Sequence, residues 1–177
     1  MKAALPSILL ALVALTISAY SSVTLPGLSI PFTAQSLVVF VIAALLSPRH
    51  FLIIIIGYIL LGAVGAPVFA DGSSGFERIM GNSGGFLYGF VFSGLLISIS
   101  NHKSNPQFYR LTLNMLMATV VLFIFGVGHL SAKLDIAKGL QFGLYPYWKM
   151  AIVKALLAAI IVYNVRIYLP IDQNRAS

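Results

Sequence analysis

The chain has 177 residues, of which 59% are hydrophobic and only 8% charged, and its mean hydropathy is +0.98. A water-soluble domain carries roughly 25% charged residues to cover its surface, so this composition excludes one and specifies an integral membrane protein. The absence of Cys removes disulfides, thiol catalysis and Cys-ligated metals, and the lipid surface explains the net charge of +7 without invoking nucleic acid.

A helix needs about 20 mostly apolar residues to cross the hydrocarbon core. Division at the polar, Gly and Pro clusters predicts six spans, at residues 5–20, 32–46, 51–64, 84–100, 108–127 and 148–168. The expected fold is an all-α integral membrane protein: one compact six-helix transmembrane domain over 1–177, with cavity-capping outer loops and both termini cytoplasmic. Several spans are short, which fits loops that dip into the bilayer. Lys2 followed by an apolar run to Tyr20 also has the outline of a cleaved signal peptide. Retention is expected, because further spans follow and cleavage would leave an odd number.

The first loop, Ser21 to Pro31, is uncharged, holds Pro26, Gly27 and Pro31, and leads to Gln35 near the top of the second span. Gln35 either bonds helix to helix or contacts a ligand. Between the second and third spans, Pro48 is expected to stop the helix and Arg49 to hold the turn among headgroups. The segment from Gly62 to Tyr88 follows, with Gly62, Gly65, Gly72, Gly75, Gly81, Gly84 and Gly85. Such a density of Gly argues against a helix interior, where each costs up to about 1 kcal/mol relative to Ala. Pro67, Val68, Phe69, Phe76, Ile79 and Met80 are too apolar for a solvated linker, so a structured loop facing protein, water or a bound molecule is expected.

Lys154 lies about two turns into the last span, flanked by Val153 and Ala155. A buried ammonium is costly there and marks a functional site unless it snorkels past Trp148. No acidic residue falls within the spans, so its counter-charge would come from the ligand. A basic group, a neutral amide and two apolar loops suit a small organic anion with a hydrophobic body.

Cation counting sets the orientation. With the amino terminus cytoplasmic, Lys2, Arg49, Lys103, Arg110, Arg166 and Arg175 lie inside against Asp172; Arg78, Lys133, Lys138 and Lys149 lie outside against Asp71, Glu77 and Asp135. Tyr145, Tyr147 and Trp148 would form an outer aromatic belt, with Tyr163 and Tyr168 near the inner face. An enzyme reading competes: Gly81-Asn82-Ser83-Gly84 spells the Gly-x-Ser-Gly of rhomboid-type intramembrane serine proteases, with His129 as the only candidate base. His50, His102 and His129 have no metal-ligand spacing, so neither metal nor cofactor is expected. Without a phosphate-binding loop, any ATP-driven step needs a partner.

Leu61-Gly62-Ala63-Val64-Gly65-Ala66-Pro67-Val68-Phe69-Ala70, then Gly81-x-Ser83-Gly84-Gly85-Phe86-x-x-Gly89-Phe90, closely resembles the BioY biotin transporters. Pro31-x-Thr33-x-Gln35 and Lys154-Ala155-Leu156-Leu157-Ala158-Ala159 are similar to the same family. The resemblance implies a six-helix substrate-binding subunit (S component) of an energy-coupling factor (ECF) transporter, which captures biotin from outside. It also implies as partners a coupling transmembrane protein and two ATPase subunits. In that class the first helix docks the coupling protein through small residues four apart, a surface that Ser7, Ala11, Ala14 and Ser18 could supply here unless they pack within the bundle. Lys154 falls on the family's last-helix Lys, Gln35, Gly84, Gly85 and Phe86 on its pocket-lining positions, and Ser73 where relatives place a biotin-contacting Asn. Two departures stand out: Met150 and Ala151 replace the family's Gly-Asp, removing a carboxylate that would accept from the ureido N–H groups, and Asn82 replaces a Pro. The ring would then be held by other groups, such as Ser73, Asn82 or Asp71, or the ligand is a relative of biotin.

Overall fold

The computed structural model describes residues 4–23, 26, 30–101 and 107–168. Lys2, Gly27, His102, Lys103, Asp172 and Arg175 lie outside the described residues. Eight helices are described: α1 (Ala4–Tyr20), α2 (Gln35–Leu45), α3 (Pro48–Ala63), α4 (Phe76–Met80), α5 (Gly84–Asn101), α6 (Phe108–Lys133), α7 (Ile136–Gly143) and α8 (Trp148–Tyr168). By length and composition α5, α6 and α8 can each cross a membrane; α1, α2 and α3 are shorter apolar helices.

Local chemistry explains where these elements depart from the expected ones. Phe32 and Thr33 are not helical: they form β2 (Phe32–Thr33), antiparallel to β1 (Ser22–Val23), with Ser22 opposite Thr33 and Val23 opposite Phe32. Helix α2 therefore starts only at Gln35. Pro48 opens a helix where it was expected to stop one. Helix α2 has already ended at Leu45, Ser47 is extended, and Pro48 takes the first position of α3, where its missing N–H leaves no bond unmade. Helix α6 runs past residue 127 to Lys133, and α7 follows at once, its amino end capped by the Asp135 carboxylate accepting from the Lys138 backbone N–H at 2.7 Å.

Three glycines of the Gly-rich segment are helical after all: Gly62 in α3, and Gly84 and Gly85 opening α5. Their cost is offset by close approach. A Cβ on Gly85 would lie 2.4 Å from the His129 Cβ, and one on Gly89 2.8 Å from a Leu122 methyl, so this face of α5 lies almost backbone to backbone on α6. Helix α5 also packs on α2 and α3, and α8 closes the bundle against α2 and α6. Lipid does not drive helices together as water does, so tight packing of this kind carries the association.

The remainder of the Gly-rich segment is folded, as its apolar residues require. Ala70–Gly72 forms a short 3-10 turn. Phe69 is 1% exposed and stands edge-on to the Tyr58 ring, with centroids 5.6 Å apart. Tyr58 donates to the Val68 carbonyl at 2.6 Å, Tyr20 to that of Pro67 at 2.8 Å, and the Gly75 N–H returns to the Gly62 carbonyl at 2.7 Å. The Ser22 hydroxyl donates to Asp71, tying the first loop to this segment.

At the far end, Arg166 is buried, donating to the Asn101 carbonyl at 3.1 Å and to the Ala44 carbonyl. The cation count takes it simply as an inner-side charge, but here it meets the carboxyl ends of α5 and α2, where unpaired carbonyls concentrate negative charge. Asn114 extends the network by donating to the Asn101 side chain at 3.1 Å.

Candidate ligand-binding cavity

A cavity of about 90 Å3, partly open to the outside, lies where β2, the Gly-rich segment and the start of α8 meet α5 and α6. Its wall is apolar and aromatic, with Phe32, Phe69, Phe86, Phe90 and Phe123 prominent, and its charged lining residues are Arg78 and Lys154.

Lys154 does not snorkel. Its ammonium turns inward and donates to the Thr33 carbonyl at 2.5 Å, 121 residues away in sequence but adjacent once β2 folds over the start of α8. One N–H is thus engaged and two remain for the cavity. Gln35 bonds helix to helix, its amide donating to the Tyr58 hydroxyl at 2.6 Å and linking α2 to α3, and the residue also lines the cavity. Because that hydroxyl continues to the Val68 carbonyl, Gln35 is held by the same chain of bonds that pins the Gly-rich segment.

Phe86 joins these two on the wall, against Gly126, where any Cβ would meet its ring at 2.4 Å. The other expected site residues are placed elsewhere. Gly84 and Gly85 serve helix contacts, Ser73 caps the 3-10 turn by donating to the Ala70 carbonyl at 2.7 Å, and Asn82 is not among the lining residues. Asp71, with φ of 59° and bonded to Ser22, does not line the cavity either.

Sequence reading missed Arg78 and Tyr147. Arg78 was counted as an outer-loop cation, but α4 carries it to the cavity. Its signal was a cation among the apolar residues of the Gly-rich segment. Tyr147, expected in an aromatic belt, turns inward, donates to the Ile30 carbonyl, and packs its ring 4.4 Å from that of Phe32. Partial burial pushes its phenol up to about 12, so it remains a neutral donor there. Trp148 and Tyr145 stay exposed. Ala151 lines the cavity three residues before Lys154.

The protease arrangement is not favoured. The His129 imidazole bonds the Gly81 carbonyl at 3.0 Å, which requires the Nε2 proton, whereas Ser83 lines a cavity that His129 does not reach. On α1, Ala11 and Ser18 are buried in the chain's own core, Ala14 is half-buried, and Ser7 is exposed.

Long apolar helices around a loop-covered, cation-bearing cavity define an all-α membrane protein with a small-molecule site. The family model described as the BioY family matches residues 2–170, and the chain belongs to that family. It is 32% identical to the biotin transporter BioY2 of Lactococcus lactis, over 86% of this chain and 85% of that protein. It is likewise 32% identical to a probable biotin transporter BioY of Pyrococcus horikoshii, over 91% and 95%, and 28% identical to the biotin transporter BioY of Thermotoga maritima, over 81% and 85%. In fold it is similar to the S-component for biotin from an ECF-type ABC transporter, with a TM-score of 0.82 at 21% identity, covering 93% of this chain and 91% of that one. The chain is accordingly a multi-pass cell-membrane protein.

Proposed function

We propose that this chain is the substrate-binding subunit that captures biotin for uptake by an ECF-type transporter. The observation that carries the reading is the cavity in which the inward-turned Lys154 and Arg78 face an aromatic wall, in a BioY family member. Biotin is a monocarboxylate with a ureido carbonyl on its bicyclic ring, so its two strongest acceptors fit two cationic donors. One cation takes the carboxylate and the other the ureido oxygen, the ring lies against Phe86, and Gln35 offers its amide oxygen to the ureido N–H groups. Ser73, Asn82, Gly84 and Gly85 then support the loops from behind the wall. The chain catalyses no reaction.

The bundle has six spans, α1, α2, α3, α5, α6 and α8, with both termini cytoplasmic and the cavity facing outward. The excess of loop cations on the inner side supports that orientation. Energy comes from a coupling transmembrane protein and two ATPase subunits. Docking uses the outer face of α1, where Ser7 and Ala14 remain accessible among exposed Leu10, Val13 and Ile17.

Mass spectrometry of small molecules co-purifying with the detergent-solubilised protein, expressed with biotin in the medium, tests the ligand. Biotin should be recovered and, when added back, should raise the melting temperature. No recovered biotin and no thermal shift would overturn the reading.

A further inference from the structure

The charge inventory of the cavity is one-sided. Arg78 and Lys154 line it, and among the described residues no Asp or Glu does. The ion pair between described side chains, Lys138 with Asp135 at 3.2 Å, lies elsewhere. Lys154 has a neutral carbonyl as its partner, and the Arg78 guanidinium has no hydrogen-bond or ion-pair partner among the described residues. Ammonium and guanidinium groups donate and never accept. In an apolar, partly enclosed space two such cations repel each other, and water screens them less than it would at a surface. A ligand carrying one negative charge offsets half of this. A ligand with an anionic acceptor at each end offsets all of it.

Resting on the reading that this cavity is the ligand site, we propose that it selects by acceptors at two ends and therefore also takes straight-chain α,ω-dicarboxylates. Phe86, Phe69 and Phe123 supply the apolar surface for the methylene chain. Lys154 and Arg78 each hold one carboxylate. Ureido N–H donors add less than the second acceptor, since among the described lining residues they meet the neutral Gln35 amide and no carboxylate side chain.

The test is calorimetric titration of the detergent-purified full chain with biotin, with each dicarboxylate from glutarate to azelate, and with the monocarboxylate of matching length. At least one dicarboxylate should bind on the order of thirtyfold more tightly than its monocarboxylate, the ratio expected for one desolvated charge pair. Arg78→Gln and Lys154→Gln should each erase that advantage, and Arg78→Lys should keep most of it. Ala151→Asp, which sets a carboxylate on the same helix face as Lys154, should weaken dicarboxylates about tenfold relative to biotin. Dicarboxylates that bind no better than monocarboxylates overturn the inference, whether or not biotin binds. Dicarboxylate binding without biotin binding supports it and overturns biotin as the ligand. The wild-type comparison stands even where a variant fails to fold.

Discussion

Helix α8 carries two inward-turned cations, and they do different work. Arg166 donates to carbonyls at the carboxyl ends of α5 and α2 and is only 8% exposed, so its charge serves the bundle itself. Lys154 has one bond, to the Thr33 carbonyl, and lines a cavity with N–H groups to offer. An intramembrane cation is costly wherever it stands, so each needs a reason. What separates a structural reason from a functional one is whether neighbouring backbone already satisfies the donors.

Substitution should split the two cleanly. The largest effect expected is on binding by Lys154→Ala: a loss of about 2–5 kcal/mol in biotin affinity, read by titration, with little change in the melting temperature of the unliganded protein. Arg166→Ala should do the reverse. It strands buried carbonyls on Asn101 and Ala44, so thermal unfolding in detergent should show a loss of about 3 kcal/mol, while protein that remains folded keeps most of its affinity. Equal effects of both variants on binding would erase the contrast.

These roles were unequally legible in the sequence. A lone Lys in an apolar run announces itself by its cost, and Lys154 was visible for that reason. Arg166, near a helix end, reads only as one more inner-side cation, because nothing local shows that two other helices end beside it. Arg78 and Tyr147 were misjudged in the same way. Their position follows from how α4 and β2 fold over the cavity, through bonds such as Tyr147 to Ile30, 117 residues apart. Pro48 was misread because a Pro that ends one helix and a Pro that begins the next look alike until the turn before it is placed. The Gly-rich segment was recognised as structured by its apolar residues. Its helical glycines were not, since only packing shows which glycine a neighbour's backbone demands.

A smaller effect sharpens the comparison at the loop. Tyr58→Phe breaks the chain from Gln35 through Tyr58 to Val68, leaving a buried carbonyl and amide without a partner. It should lower stability by about 1–3 kcal/mol and speed amide exchange in residues 64–75 ahead of α5. Uniform exchange across both would show that the loop is not held there.

The smallest effect lies outside the bundle. Asp135 caps α7, and the Lys138 backbone N–H, followed by the Lys138 side chain, holds its carboxyl below the ordinary value of 3.8. A carboxyl lowered on folding stabilises the protein above that value, and the contribution fades as pH falls through its lowered one. Asp135→Asn should therefore melt slightly earlier than wild type near neutral pH and differ less in acid. A difference that grew on acidification would contradict the assignment.

The most direct measurement is a structure of the chain determined with biotin bound. The ligand should lie against Phe86 between Arg78 and Lys154, with the Lys154 ammonium still directed inward. Biotin found on the outer surface of the helices, or that ammonium directed to the headgroups, would contradict the account.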